Sequence, residues 1–397
     1  MLAVILTFSL TACGNLSEEA ASQTPSASSD KFSSAVITHF TGYGEQADTL
    51  MSTLKDSFWM LRTDKMVSQI GDKDPVTLWG YAAYMESAGL WYELHPEDAE
   101  IRAEYLKALQ GVENYRTTWR TDGLQVYQCW AGEGKAECFY DDDVWVVLEF
   151  LHAYALLGDA HWLDQAKGTA GFCYSGWDEK VGGGVYWKED DKASKNTCIN
   201  APLALASCEL YQATGEQIYL DWAIRLYSWT KDTLLDPEDN TFWDNISING
   251  NVDKNKYTYN TGNMIGAAAA LYEITGEAGY LSDALAYAEG AYNRFGKLTE
   301  VDKADEPVYI CDSNSWFGGS LLKGYLKLAE VYADTDPKYV DSYAQCLAYC
   351  CLISNDNRGY ILSGWVESGI SHKPDLLNQA GNARLLLLLQ LWQNAGN

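Results

Sequence analysis

Three consecutive carboxylic acids, Asp141, Asp142 and Asp143, are the residues of this sequence whose types and spacing best suit chemistry. They stand where an irregular, glycine-rich stretch (120–138) gives way to an apolar run over residues 144–157. Neighbouring carboxylates repel one another, so one of them holds its proton more tightly than the other. An ionised and a protonated acid placed close together are what cleavage of a glycosidic bond requires.

The apolar run predicts the element that positions these acids. Apolar residues recur along it at helical spacing, namely Val144, Val147, Leu148, Leu151 and Tyr154. This pattern predicts a helix near 143–157, with the acids at its start. Free backbone N–H groups and the helix dipole favour negative charge there. An N-cap is the alternative interpretation, because Asp is a preferred capping residue.

Composition limits the partners of the chain. Its 397 residues carry a formal net charge of −27, which should repel nucleic acid, anionic membrane surfaces and acidic polysaccharides. A neutral ligand is therefore expected. No phosphate-binding loop, dinucleotide fingerprint or Cys/His cluster is present in the sequence, so we expect no metal and no organic cofactor.

The N-terminus carries a candidate targeting signal. Residues 2–10 are mostly apolar but too few to span a membrane, and Leu10-Thr-Ala-Cys13 resembles the bacterial lipobox. We predict a signal peptide over 1–12, lipidation of Cys13 and a flexible tether to residue 35. The implied location is the outer membrane, at the cell surface or the periplasmic face, with the lipid as the protein's sole membrane contact. A short secretory signal with an accidental Cys is the alternative.

The cysteines bear on possible cross-links. Nine remain after Cys13, an odd number, so they cannot all pair within the chain. Cys129 and Cys138 flank one loop and are the best candidates for a disulfide. The others are expected to be small buried apolar groups.

A repeat defines the predicted fold. Tyr154, Tyr211 and Tyr272 each open a similar segment containing a helix-stopping Gly, at intervals of about 60 residues, with a looser copy at Tyr332. Twelve helices are predicted near 45–66, 76–94, 97–119, 143–157, 160–174, 198–214, 217–233, 260–275, 279–295, 316–333, 337–353 and 376–394. Buried and amphipathic helices alternate, which indicates an all-α (α/α)6 toroid of six inner and six outer helices.

The toroid implies one domain over residues 36–397, expected to be a monomer. All long loops should emerge where inner helices begin, so the acids lie at the mouth of the toroid. Rings and amides share these loops, and both suit a sugar, although packing and capping explain them too. They are Trp130, Trp187, Trp243, Tyr257, Tyr259, Trp316, Trp365, Asn196, Asn200, Asn260 and Asn263.

Four motifs in order resemble glycoside hydrolase family 76, the endo-α-1,6-mannanases. They are Tyr140-Asp-Asp-Asp-Val-Trp145, Gly182-Gly-Gly-Val-Tyr-Trp187, Lys195-Asn-Thr-Cys-Ile-Asn200 and Thr258-Tyr-Asn-Thr-Gly262. The similarity weakens after Cys311-Asp-Ser-Asn314. It implies the same toroidal fold and a retaining mechanism in which Asp141 is the nucleophile and Asp142 the general acid/base. Asp143 stands where the family more often has Asn.

The resemblance also implies a substrate and a set of contacts. The expected activity is endo-acting hydrolysis of α-1,6-mannosidic bonds in mannan-type polysaccharide. The expected substrate contacts are Tyr140, Trp145, Trp187, Asn196, Asn200, Tyr259, Asn260 and Asp312. A mannan transglycosylase of the same fold and a non-catalytic glycan-binding lipoprotein remain alternatives. A toroidal uronyl hydrolase or sugar epimerase fits less well, because the predicted mouth has few basic groups and few His residues.

Overall fold

The computed structural model describes residues 31–311, 314–354, 358–361 and 373–396. The predicted signal peptide, Cys13 and Asp312 lie outside these ranges, as does Trp365. Within them, no helix combines the length and the apolar character needed to cross a membrane.

The described part of the chain contains thirteen α-helices. They are α1 Ser34–Thr38, α2 Tyr43–Phe58, α3 Leu78–Leu94, α4 Ala99–Gly111, α5 Tyr140–Leu157, α6 Ala160–Ser175, α7 Thr197–Thr214, α8 Gln217–Leu234, α9 Thr258–Thr275, α10 Ala278–Phe295, α11 Ser315–Val331, α12 Lys338–Ile353 and α13 Leu376–Asn394. Six short strands accompany them: β1 Ser194–Asn196, β2 Leu235–Asp236, β3 Thr241–Ser247, β4 Val252–Lys256, β5 Gly296–Thr299 and β6 Val308–Cys311.

The helices form a closed double ring. Each inner helix contacts the next in the order α3, α5, α7, α9, α11 and α13, and α13 contacts α3 to close the circle. Outside this ring, α4, α6, α8, α10 and α12 each pack on the inner helix that precedes them, and α2 packs on α13. The predicted (α/α)6 toroid is confirmed.

Small residues allow the inner helices to approach one another closely. In α9, almost every side chain from Asn260 to Leu271 is buried, as expected for a helix surrounded by protein. A Cβ on Gly262 would lie 2.5 Å from the Cα of Leu321 in α11. Glycine is therefore required where α9 and α11 touch.

The repeated joints between inner and outer helices are confirmed at three of the four predicted copies; at the looser copy, residues 332–337 separate α11 from α12. Gly158, Gly215 and Gly276 end α5, α7 and α9 in the left-handed conformation, with φ of 66°, 70° and 70°. Each glycine N–H donates to the carbonyl of the Tyr four residues earlier, which is a standard helix C-cap. Only two residues then separate the helices of each pair.

Three helix boundaries differ from the predicted ones by three residues or more. α2 ends at Phe58, not near 66, because Trp59 is extended and the chain turns back to pair Met60 with Lys65. α4 ends at Gly111, not near 119, and a single 3₁₀ turn follows it to Tyr115. α5 begins at Tyr140, three residues early, so the acids lie inside its first turn.

Long connections precede the inner helices and share the face on which these helices begin. One connection carries β3, the central strand, which pairs antiparallel with β1, β2 and β4. Another carries the β5–β6 hairpin.

The disulfide predicted between Cys129 and Cys138 is absent, and both thiols are free and buried. Cys129 N–H instead bonds the carbonyl of Glu137, so backbone pairing joins these segments.

Candidate active site

A cleft of about 680 Å³ opens where the inner helices begin. Its lining combines carboxylates, amides and aromatic rings. The main lining residues are Trp79, Trp130, Phe139, Asp141, Asp142, Trp145, Trp187, Asn196, Cys198, Asp244, Tyr257, Tyr259, Trp316 and Phe317. Asp141 and Asp142 therefore lie at the mouth of the toroid, where they were predicted.

Asp141 and Asp142 line the cleft from the first turn of α5. Phe139 is the N-cap, so none of the three acids is the N-cap residue, and all three lie in the first turn of the helix. Asp141 Oδ2 accepts hydrogen bonds from Trp187 Nε1 at 3.0 Å and from Cys198 Sγ at 3.3 Å. Both donors come from segments other than α5 and fix the orientation of the carboxylate.

The two acids differ in proton affinity. Burial raises the pKa of Asp141 to about 6, and the bonds from Cys198 and Trp187 limit the rise. Burial, reinforced by the negative charge of Asp141, raises the pKa of Asp142 well above its usual range. The two carboxyls titrate as a coupled pair, and near neutral pH one is ionised while the other keeps a proton.

Asp143 belongs to a different environment. Its side chain has no solvent exposure, and Oδ1 accepts the backbone N–H of Tyr127 at 2.9 Å. Its Oδ2 atom is buried and has no hydrogen-bond partner within the described ranges. Burial raises the pKa of Asp143 well above its usual range. Burial thus favours the protonated form of Asp143, and its bond from Tyr127 ties the 126–129 segment to α5, a task that an amide also performs.

Replacing Asp143 with Asn should stabilise the protein most at neutral pH. Above the ordinary Asp pKa of about 4, the folded state holds a proton on Asp143 that the unfolded chain releases. The group's contribution to folding stability therefore falls by about 1.4 kcal/mol per pH unit until its raised pKa is reached. Asn binds no proton, so the advantage of Asp143→Asn should shrink as pH falls. Urea unfolding of both proteins across this pH range measures the difference between their free energies of unfolding. A difference that does not change with pH would contradict a raised pKa of Asp143 in the folded protein.

Trp187 and Trp145 contribute to the cleft in different ways. Trp187 is 40% exposed and packs on Phe139 with ring centroids 5.0 Å apart, so one face of the indole remains open to a ligand. Trp145 is nearly buried, one turn after Asp141, and meets the ring of Trp316 edge-on at 5.7 Å. The rings of Trp145 and Trp316 form the floor of the cleft.

A second group of rings forms an aromatic wall. Tyr259 stacks on Phe317 with centroids 4.3 Å apart, and Phe317 also lies parallel to Trp79 at 6.1 Å. Tyr257, 37% exposed, contacts both Tyr259 and Phe317. Such flat surfaces with a hydroxyl edge suit the faces of sugar rings.

Two expected substrate contacts lie outside the cleft. Tyr140 is 1% exposed and stacks on Phe172 with centroids 4.6 Å apart. Asn200 is fully buried, and its amide bonds both the N–H and the carbonyl of Val185. The expectation that these two side chains contact substrate is corrected by the structure, because both are occupied in the core.

The expected amides Asn196 and Asn260 lie at and beside the cleft. Asn196 lines it, and its Oδ1 accepts from the hydroxyl of Ser194 at 2.7 Å. Asn260 is fully buried and points its amide at Asp244 Oδ1, 3.4 Å away. It therefore orients a cleft residue. Trp243 is turned away, with its N–H bonded to Asp236.

Asp244 is a cleft acid outside the set of site residues predicted from the sequence. It lies on β3, in contact with Asn245 and Asn260, and burial raises its pKa. No motif marks it; the available signal was its place beside Trp243 in a long loop.

The described residues contain no group of three or more His, Cys, Asp or Glu side chains suited to hold a metal.

Beneath the cleft, a second cavity of about 760 Å³ follows the axis of the toroid towards the C-terminal ends of the inner helices. We call it the axial chamber; its acidic and basic lining residues are Glu86, Glu93, Glu149, His152, Glu209, Lys323, Lys327, Glu330 and Arg384. Trp145 lines both cavities and so separates them. From below, the Arg384 guanidinium lies 4.5 Å from the ring centre of Trp316.

The closed ring of helix pairs, with an acidic cleft at its mouth, defines the class of (α/α)6 toroid proteins. The model of glycosyl hydrolase family 76 matches residues 43–387, and the chain belongs to this family. The family 76 mannosidase Bt3792 of Bacteroides thetaiotaomicron VPI-5482 superposes with a TM-score of 0.83 at 26% identity, over 90% of this chain and 100% of that chain.

Curated relatives match over shorter stretches. The mannan endo-1,6-alpha-mannosidase DCW1 of Candida glabrata is 38% identical over 111 residues, 25% of each chain. The mannan endo-1,6-alpha-mannosidase DFG5 of Saccharomyces cerevisiae is 28% identical over 211 residues, 49% of this chain and 46% of its own length. The chain thus spans between a quarter and about half of the length of these two relatives.

Proposed function

We propose that this protein hydrolyses α-1,6-mannosidic bonds within mannan-type polysaccharides, with retention of anomeric configuration. One observation carries the proposal: adjacent carboxyls in the cleft, Asp141 and Asp142, have pKa values that are pushed apart. Separated proton affinities let one acid attack while the other donates a proton. Membership of family 76 supports the same conclusion.

In the first step, the ionised Asp141 carboxylate attacks the anomeric carbon of a mannosyl unit. The bond from that carbon to the 6-oxygen of the next sugar breaks, and Asp142 gives its proton to the departing oxygen. A glycosyl ester of Asp141 results. A retaining pair needs its carboxyls about 5–5.5 Å apart, and side chains that diverge from adjacent Cα atoms, about 3.8 Å apart, can reach this separation.

In the second step, the Asp142 carboxylate removes a proton from a water molecule. The water oxygen attacks the anomeric carbon, and the ester bond breaks to release Asp141 as a carboxylate. Asp142 is left protonated, so the pair is ready for another turnover. Formation of the ester removes the negative charge of Asp141, which lowers the proton affinity of Asp142 when it must act as a base.

A neutral polymer is the substrate class that the cleft favours. The open rings of Trp130, Trp187 and Tyr257 are 50%, 40% and 37% exposed in the lining, and they offer surfaces for successive sugar rings. The overall charge of −27 disfavours an acidic glycan. The curated names of the relatives DCW1 and DFG5 point to α-1,6-linked mannan.

The test is turnover of a linear, debranched α-1,6-mannan. Endo-acting hydrolysis should release reducing ends while the mean polymer mass falls early, and NMR of the first products should show the α-anomer. Branched mannan, assayed in parallel, reports how far side chains are tolerated. Products longer than the substrate would indicate a transglycosylase. Tight binding without any new reducing ends would indicate a non-catalytic glycan-binding protein.

We also propose that the protein is an outer-membrane lipoprotein anchored through Cys13. The supporting observation is the lipobox-like Leu10-Thr-Ala-Cys13 followed by a polar stretch. Replacing Cys13 with Ser should move the protein from the membrane fraction to the soluble fraction of its host. A variant that stays with the membranes would disprove the anchor.

A further inference from the structure

Lys195 is an ammonium group enclosed by backbone oxygens. Its side chain has no solvent exposure. Nζ lies 2.7, 3.0 and 2.6 Å from the carbonyl oxygens of Asp178, Lys180 and Gly183. It also lies 2.7 Å from Asp178 Oδ1. All four oxygens belong to the turn over residues 178–184, which we call the ammonium loop.

These contacts resemble the coordination of a hard cation. Carbonyl and carboxylate oxygens that converge on one point are typical ligands of such ions, and here an ammonium with three donors occupies the centre. Without a positive charge, the carbonyls would face one another with their hydrogen bonds unmade, which is costly for buried polar groups. Lys195 therefore supplies the hydrogen bonds that the inward-facing carbonyl groups of the ammonium loop need.

The backbone of the ammonium loop needs such support. Four consecutive residues, 181–184, have positive φ values of 49°, 81°, 128° and 87°. The first is Val181, for which this region is unfavourable. A Cβ on Gly183 or Gly184 would overlap the rings of Trp177 or Trp229, so glycine is required at these two positions. The loop is bent inwards around the ammonium group.

The ammonium loop leads directly to the cleft. Residues 185–187 follow it, held by Asn200 at Val185 and by the carbonyl of Ser194 at Trp187 N. On the other side, Tyr140 N–H donates to the carbonyl of Trp187 at 3.0 Å. The indole then donates to Asp141 Oδ2. The ammonium loop thus fixes the start of the short segment whose last residue, Trp187, supplies this donor.

We propose that Lys195 is a positioning residue, a covalently tethered cation that folds the ammonium loop and thereby aligns Trp187 with Asp141. The assignment rests on the proposed function only for its effect on turnover. Its structural part, a cation site occupied by a lysine, stands independently of the reaction. Removal of the side chain should leave an empty site that accepts a small organic ammonium ion.

The experiment replaces Lys195 with Ala and adds n-propylammonium, which matches the deleted part of the side chain. A misplaced catalytic donor should lower kcat by up to about 10²-fold, with a much smaller change in KM because the other cleft rings remain. Activity should recover with n-propylammonium in a saturable manner. Neutral n-propanol, of the same size, should not restore it. Lys195→Met, which keeps an apolar stem without charge, should resemble the unrescued variant.

A second readout does not depend on catalysis. Lys180 is an exposed trypsin site within the ammonium loop, and mass spectrometry can locate cleavage after it. We expect slow cleavage there in the wild type, fast cleavage in Lys195→Ala, and protection when n-propylammonium is added. If the wild type does not cleave mannan, the proposed function fails, while this proteolysis pattern still tests the tethered cation.

Lys192→Ala is the matched control. Lys192 is exposed, and its ammonium lies 5.4 Å from the ring centre of Tyr186, a ring that Lys195 also contacts at 4.7 Å. It should leave kcat and the proteolysis pattern unchanged. Rescue by n-propanol, or an unchanged loop and kcat in Lys195→Ala, would overturn the proposal. Failure of both Lys195 variants to fold, even with n-propylammonium present, would also overturn it, because Lys195 would then be a general requirement of folding.

Discussion

Replacing Asp142 with Ala should abolish most turnover of mannan yet spare the first step on an activated substrate. A sugar leaving group needs a proton, and loss of a general acid costs about 10²–10⁴-fold. An aryl α-mannobioside with an acidic phenol needs no proton to depart. The variant should therefore release one equivalent of phenol rapidly and then stall, because no base activates water. Stopped-flow absorbance measures the burst, and mass spectrometry of the trapped protein locates the ester on Asp141.

Azide distinguishes the roles of the two acids. It attacks without needing a base, so it should accelerate the second step in Asp142→Ala and yield a mannosyl azide of retained configuration. Asp141→Ala should show no burst and no ester with either substrate. An ester on Asp143, or a burst in Asp141→Ala instead, would overturn the assignment of roles while leaving the fold unaffected.

Replacing Trp145 with Ala should lower kcat/KM by about 10²-fold, a loss typical of misplaced reacting groups. Trp145 separates the cleft from the axial chamber and supports Trp316. Its removal joins the two cavities, lets water reach the floor of the cleft and frees Trp316 to move. Steady-state kinetics on mannan oligosaccharides, with the chamber's opening checked by crystallography, measures the effect.

Trp91→Ala is the control for this prediction. Trp91 is similarly buried, also on an inner helix, but it lies near the C-terminal end of α3 and bonds Asp48. Each substitution should cost about 3–5 kcal/mol of folding stability, as large-to-small changes of buried Trp usually do. Thermal unfolding should therefore give similar losses for both variants, whereas kinetics should not. Equal losses of activity in two folded variants would contradict the place of Trp145 in the cleft floor.

The ring of helices could be predicted because its causes are local. Helix periodicity, the Gly stops at 158, 215 and 276 and the alternation of buried and amphipathic segments all depend on residues within one or two turns. The prediction that α2 extends to residue 66 was wrong for the opposite reason. Its end is set by backbone pairing between Met60 and Lys65, which no helical pattern reveals.

The candidate site was predicted only in part, because side-chain direction depends on helix phase and on partners from distant segments. Tyr140 is adjacent to Asp141, but successive residues on a helix differ by about 100°, so its ring enters the core. Asn200 belongs to the same motif as Asn196, yet the backbone of Val185 occupies its amide. Asp244 joins the cleft through β3, and sequence spacing gives no measure of such a long-range approach.

The tight joints at the far end of the toroid have a consequence for how this family can diversify. Gly158, Gly215 and Gly276 leave only two residues between paired helices, so an insertion there would separate helices that must stay in register. The connections on the cleft face are long and already irregular, and they can accept new segments at little energetic cost. Natural variation and laboratory libraries should therefore succeed on one side of the molecule, where changes in loop length alter which glycans fit without disturbing the ring.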